Sequence, residues 1–239
     1  MNYNELNFQQ VSGERQWDVS AAFPVLMRKV YVWMTLALVI TGVTAYGVAS
    51  SPGILQIIYG NSMVMWGLII AELAIVISVS AAINRLSLST ATLLFVLYSV
   101  LNGAVLSSIF LLYTMSSITT VFLITAATFG VMALVGYTTK TDLSSMGKIA
   151  LMALLGLIIA TLVNMFMKSS MMDMIISYVG VLIFVGLTAY DSQRIKQMLL
   201  QAPDAGENMQ KLALLGALSL YLDFINLFLY LLRIFGRRD

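Results

Sequence analysis

A chain of 239 residues that is 60% hydrophobic and 10% charged, with mean hydropathy +0.92 and net charge +2, departs far from soluble domains, where about 25% of residues are charged. It reads as an integral membrane protein, and because a membrane helix takes about 20 apolar residues, its length admits six or seven spans and no sizeable soluble domain. Cys and His are both absent, which excludes disulfides, thiolate nucleophiles, Ser-His catalysis and imidazole metal sites and leaves proton chemistry to Asp and Glu, or to Lys or Tyr.

Residues 1–25 are polar and are expected to form a cytoplasmic tail; no basic stretch precedes a short apolar segment and cleavage site, so they do not read as a signal peptide. Apolar runs follow at 26–49, 62–84, 90–113, 117–136, 148–167, 174–199 and 210–235. The predicted fold is an all-α bundle of seven transmembrane helices over 26–236. With the N-terminus inside, the inner segments hold Arg15, Arg28, Lys29, Arg85, Lys140, Lys148, Arg194, Lys196 and Lys211, whereas the outer loops before the seventh run hold only Lys168. Arg233, Arg237 and Arg238 would lie outside if that run crosses, so basic-residue counting favours a re-entrant segment while its length favours a crossing; a crossing is expected. Small residues recur at helix-packing spacing, as in Ser78 with Ala82, Ala126 with Gly130 and Ala213 with Ala217.

Three ionisable groups fall inside the spans: Glu72, Asp191 and Asp223. A charged Asp at the middle of a membrane helix costs about 2.5 to 3.5 kcal/mol on insertion scales, so such residues point to function. The break from Gln201 to Asn208 contains Pro203 and Gly206 and supplies a turn between the sixth and seventh helices. Counting outward from this turn at about 1.5 Å per residue, Asp191 and Asp223 reach depths differing by only about 4 to 5 Å, so they are able to meet. Gly216, Ser219, Asp223, Asn226 and Tyr230 form one polar stripe at helical spacing on an otherwise apolar helix, which suits the middle of a bundle, while Gly180, Thr188 and Asp191 share a face of the sixth helix. Two aspartates together in low dielectric cannot both ionise cheaply; they would share a proton and titrate as a coupled unit, a natural pH sensor in a chain without His. Asp191 by itself reads equally well as a locally paired charge, with Arg194 three residues on. Glu72, Ser219, Asn226 and Tyr230 are candidates to line a path, and Asn102 and Asn164 are expected to be interhelical hydrogen-bond glue.

GLTAYDSQRI (Gly186 to Ile195) and ALSLYLDFINLFLYLLRIFG (Ala217 to Gly236) resemble the sixth and seventh helices of the Bax inhibitor-1 family, and the layout of runs extends the resemblance over residues 26–236. The resemblance implies a seven-helix bundle whose last helix is wrapped by the other six, a pH-sensitive calcium leak, and a di-aspartyl sensor at Asp191 and Asp223. It also implies a basic latch on the second helix, for which Arg85, at that helix's end, is the only basic candidate. Carboxylate oxygens suit a hard cation, so Asp191 and Asp223 would be the groups that meet calcium; calcium is expected as a permeant ion, and no cofactor is expected.

The resemblance further implies partners among membrane proteins, in bacteria a membrane-bound protease, which leaves a non-conducting regulator as one alternative; a proton-coupled transporter is another. An intramembrane aspartyl protease would also use two paired aspartates, but Leu220, Tyr221 and Leu222 stand before Asp223 where presenilin-like enzymes carry Gly-x-Gly. A non-enzymatic protein is expected, with a bacterial inner membrane as its location.

Overall fold

The computed structural model describes the backbone of residues 3–237 and the side chains of residues 22–237. Among the described residues nine helices follow one another: α1 (Tyr3–Ala49), α2 (Pro52–Tyr59), α3 (Ser62–Ala82), α4 (Leu88–Leu106), α5 (Ile109–Leu112), α6 (Met115–Thr138), α7 (Ser144–Met167), α8 (Ser170–Leu200) and α9 (Glu207–Phe235). No strand occurs among the described residues. Among the described residues seven segments are long and apolar enough to span a membrane, with α1 contributing from Ala22 and α4 and α5 together forming one of them. Each predicted run falls on one of the seven.

α4, α6 and α8 begin two to four residues before their apolar runs, where polar residues cap them. The side chains of Asn61, Ser87, Thr114 and Ser169 accept hydrogen bonds from backbone N–H groups of the first turns of α3, α4, α6 and α8. Hydropathy marks the greasy middle of a helix and misses these ends. It also misses α2, whose first residue is Pro52, a residue suited to a helix start. Tyr59, at the end of α2, donates its hydroxyl hydrogen to the Val105 carbonyl at 2.7 Å and accepts from the Ser108 N–H at 3.0 Å, tying α2 to the junction of α4 and α5.

The basic side chains described sort to the two ends of the bundle. One end carries Arg28, Lys29, Arg85, Lys140, Lys148, Arg194, Lys196 and Lys211; we call it the basic end. Several of these cations cap carbonyls or amides: Lys196 Nζ bonds the Tyr137 carbonyl at 2.6 Å near the end of α6, Lys211 Nζ the Leu86 carbonyl at 3.1 Å, and Lys29 Nζ the Gln210 side chain at 2.7 Å. The opposite, sparse end carries Lys168, Asp173, Arg233 and Arg237 among the described residues.

α9 is one unbroken helix of 29 residues, about 43 Å long at 1.5 Å per residue, and so long enough for a hydrocarbon core of about 30 Å. It ends at the sparse end, where the Thr114 N–H bonds the Arg237 carbonyl at 3.2 Å and the Arg237 N–H bonds Ser117 Oγ at 2.9 Å. It packs chiefly against α8, α1, α6 and α4, while α3 leans on α4 and α7 on α8. Two-thirds of its most apolar stretch is buried, against 6% for α3. Ala213 and Ala217, a predicted packing pair, are wholly buried in α9; Ala126 and Gly130 line a groove beside α1, and Ser78 is exposed.

Candidate functional site

The site is built on the antiparallel hairpin of α8 and α9. Two contacts fix its register. The Tyr230 ring lies over Gly180 and stacks on Phe184 at 5.9 Å, and towards the basic end Ile195 packs over Gly216. Interpolating between them sets Asp191 opposite Leu220, three residues and about 4.5 Å of helix rise from Asp223.

The residues before Asp191 determine where it points. Ala189 presses its backbone on Gly136 of α6, leaving no room for a Cβ there, and the Tyr190 ring lies against Gly147 of α7. Successive helical residues turn by about 100°, so once Ala189 and Tyr190 are committed to α6 and α7, Asp191 is turned towards α9. Its carboxylate is half-buried and opens into a cavity of about 220 Å3, lined by Ser80 of α3, Asp191 and Arg194 of α8, and Gly216 and Ser219 of α9.

Asp223 lies one turn deeper than Ser219. It is 5% exposed, and its Oδ2 is buried with no hydrogen-bond partner. Asp191 and Asp223 interact electrostatically with each other, and the Arg194 guanidinium interacts with Asp191. Thr188 is wholly buried and donates to the Phe184 carbonyl at 2.7 Å, and the Ser192 hydroxyl next to Asp191 is buried without a partner. Asp191 and Asp223 are the site's carboxylates; no cluster of three or more acidic residues occurs among the described residues. Two carboxylates attract a cation without enclosing it, since calcium takes six to eight oxygen ligands when held.

Comparison with known proteins sets this geometry in a family. The family model for "inhibitor of apoptosis-promoting Bax1" matches residues 24–239. The chain belongs to the Bax inhibitor-1 family. Its relatives include the inner membrane protein YbhL of Escherichia coli (strain K12), 49% identical over 91% of this chain and 94% of that one. An uncharacterized protein of Borreliella burgdorferi is 49% identical over 89% and 91%, and one of Rickettsia prowazekii is 45% identical over 89% of each chain. With seven apolar spans and this inner-membrane relative, this Bax inhibitor-1 family member is an integral inner membrane protein.

The other predicted residues are distributed unevenly. Ser219 lines the cavity with Asp191. Asn226 turns back on its own helix, donating Nδ2 to the Leu222 carbonyl at 2.8 Å, and Tyr230 packs the hairpin towards the sparse end. Arg85 is exposed in the turn after α3 and does not line the cavity; the cation the structure brings to Asp191 is Arg194.

Glu72 belongs to a different cluster, which sequence reasoning did not find. Tyr221, wholly buried on α9, donates to Asn102 Oδ1 of α4 at 3.1 Å and shares a 2.7 Å hydrogen bond with Thr41 of α1. Thr41 has a single hydroxyl hydrogen, so it either completes the bond to Tyr221 or donates to the Ser99 carbonyl at 3.0 Å. Glu72 faces Asn102 from α3, with Oε1 buried and unbonded. Asn102, expected as interhelical glue, thus joins α4 to α9. The signal that could have found the network is the helical spacing of Tyr98 and Asn102 with Glu72 on the neighbouring span; Tyr221 itself is hidden in an apolar stretch.

Proposed function

We propose that this protein is a cation leak that passes calcium and responds to pH through a proton shared by Asp191 and Asp223. The observation that carries this reading is the buried carboxyl oxygen of Asp223, which has no donor, set beside an Asp191 that opens into a cavity at the basic end. When the pair holds a proton, its net charge falls; when it releases it, an oxygen-lined site of higher negative charge faces the cavity and attracts a hard cation. Arg194, exposed and close to Asp191, competes with that cation for the carboxylate, so protonation alters both ion attraction and side-chain packing at one place. In this reading Ser219 lines the path at the basic end, the N-terminus is cytoplasmic, and calcium is a permeant ion.

The pair is read as non-catalytic. A protease needs both carboxylates to reach a shared water and a peptide, whereas one oxygen of Asp223 is sealed from solvent and its helix carries Leu220 and Leu222 around it. Calcium flux into proteoliposomes from about pH 5 to 8 tests the reading, comparing the native chain with the Asp191→Asn, Asp223→Asn double variant. Flux whose pH dependence disappears in the double variant supports it. Flux indistinguishable from empty liposomes at every pH refutes it and leaves a regulator of other membrane proteins, which would tolerate the double change.

A further inference from the structure

At the sparse end, where α7 stops, α8 starts and α9 finishes, the structure holds a cavity of about 490 Å3 lined by Thr161, Asn164, Lys168, Asp173 and Arg233, with other residues of α7. Three of the four charged side chains described at this end line it. Two are cations and one is a carboxylate, yet neither cation forms an ion pair with Asp173.

Local structure places each of the three residues. The buried Asn164 side chain donates to Asp173 Oδ1 at 2.6 Å and to the Ser169 carbonyl at 3.2 Å, which anchors the carboxylate. Lys168 closes α7 in the left-handed conformation, φ 51°, with its N–H on the Asn164 carbonyl at 2.7 Å. The Arg233 guanidinium lies over the Tyr230 ring at 5.5 Å. Opposite charges that converge on one cavity without pairing leave room for a guest bearing both signs. The lining also includes Leu162 and Met165 of α7, and Phe166, Met167, Met171 and Met174, neighbours of Lys168 and Asp173 in sequence, are apolar side chains from 54% to 81% exposed. Charged groups with apolar surface beside them fit a headgroup whose tails remain in the hydrocarbon.

We propose that this cavity binds the headgroup of a zwitterionic phospholipid, its phosphate between Lys168 and Arg233 and its ammonium at Asp173. Guanidinium and ammonium groups form charge-assisted hydrogen bonds to phosphate, and a carboxylate does the same for an ammonium. The inference does not rest on the leak reading, and its test involves no flux.

The experiment is native mass spectrometry of the full chain released from micelles doped with phosphatidylethanolamine or phosphatidylglycerol, with water-soluble phosphoethanolamine as competitor. The native chain is expected to retain phosphatidylethanolamine preferentially. The Lys168→Gln, Arg233→Gln double variant should lower retention of both lipids by about tenfold or more. Asp173→Asn should remove the preference while leaving retention of phosphatidylglycerol. Arg233→Lys, which keeps the charge, should retain phosphatidylethanolamine and so separates lost binding from lost folding. Equal retention by native and double-variant chains overturns the proposal, as does a native chain without preference. Displacement by phosphoethanolamine at concentrations comparable to the lipid would assign the cavity to soluble phosphate esters and overturn the lipid assignment.

Discussion

Asp223→Leu should make the protein more stable while removing its pH response. The buried Oδ2 of Asp223 has no hydrogen-bond donor, so the native side chain bears a desolvation penalty that Leu, of the same branching but larger volume, does not. On insertion scales Asp at a helix centre stands at about +2.5 to +3.5 kcal/mol and Leu at about −0.3 to −0.6, which sets a ceiling of about 3 to 4 kcal/mol. The site faces α8 and a polar cavity rather than lipid, so a gain of about 1 to 2 kcal/mol is expected, within the range seen when buried ionic groups give way to apolar ones. For a chain of this length each kcal/mol shifts Tm by about 2 to 4 °C, giving a rise of about 2 to 8 °C. The assay is thermal unfolding in detergent, followed by intrinsic fluorescence or retention of monodisperse protein. The flux assay above, run on the same preparation, should show no pH dependence. A Tm lowered by several degrees would refute the reasoning, since it would mean that Asp223 is a satisfied member of a stabilising network.

Tyr221→Phe should lower Tm, with a loss of about 1 to 2 kcal/mol because two buried partners lose one hydroxyl, and Thr41→Val should add less in that background than alone. Gly136→Ala should cost about 1 to 3 kcal/mol by prising α6 from Ala189, whereas Gly156→Ala, where a Cβ meets nothing within 4 Å, should be neutral or slightly stabilising in the same unfolding assay. Arg194→Gln should displace the midpoint of any pH-dependent flux, and Arg85→Gln should leave it in place. Outside the spans, hydrogen bonds from the Ser144 side chain and backbone hold the exposed Asp142 carboxyl below its usual range. Its contribution at the start of α7 is therefore present above the unfolded value of about 3.9 and lost as pH falls through the lower folded value, which a carbonyl-detected NMR titration would read. A midpoint at or above the ordinary Asp value would contradict that bond.

How much was readable beforehand follows from which interactions are local. Spans, their order and the α8–α9 hairpin depend on hydropathy and on counting from the turn at Pro203 and Gly206, so Asp191 and Asp223 could be brought to similar depth from sequence. The polar stripe was only half informative. Ser219 does share the cavity with Asp191, but Asn226 satisfies itself on its own helix, and spacing cannot distinguish a side chain that reaches across from one that folds back. Tyr221 looked like part of the apolar cylinder around Asp223; its hydroxyl acquires meaning only once α1 and α4 bring Thr41 and Asn102 to it. Arg85 is the basic residue of the second span and Arg194 lies one helical turn from Asp191; that Arg194 and not Arg85 lines the cavity with Asp191 depends on the packing of α3 against α8 and α9, which spacing does not give.

α3 is the wall of that cavity with the least holding it. Only 6% of its apolar window is buried, and at 21 residues, about 31 Å, it barely matches a hydrocarbon layer of about 30 Å, while its neighbours in the site are longer by ten and eight residues. Lipid tails are as apolar as the Leu and Ile side chains that α3 presents to them, so a tilt of this helix exchanges one greasy contact for another at little free-energy loss. Membrane thickness therefore acts as a mechanical load on Ser80 and on the width of the opening that faces Asp191.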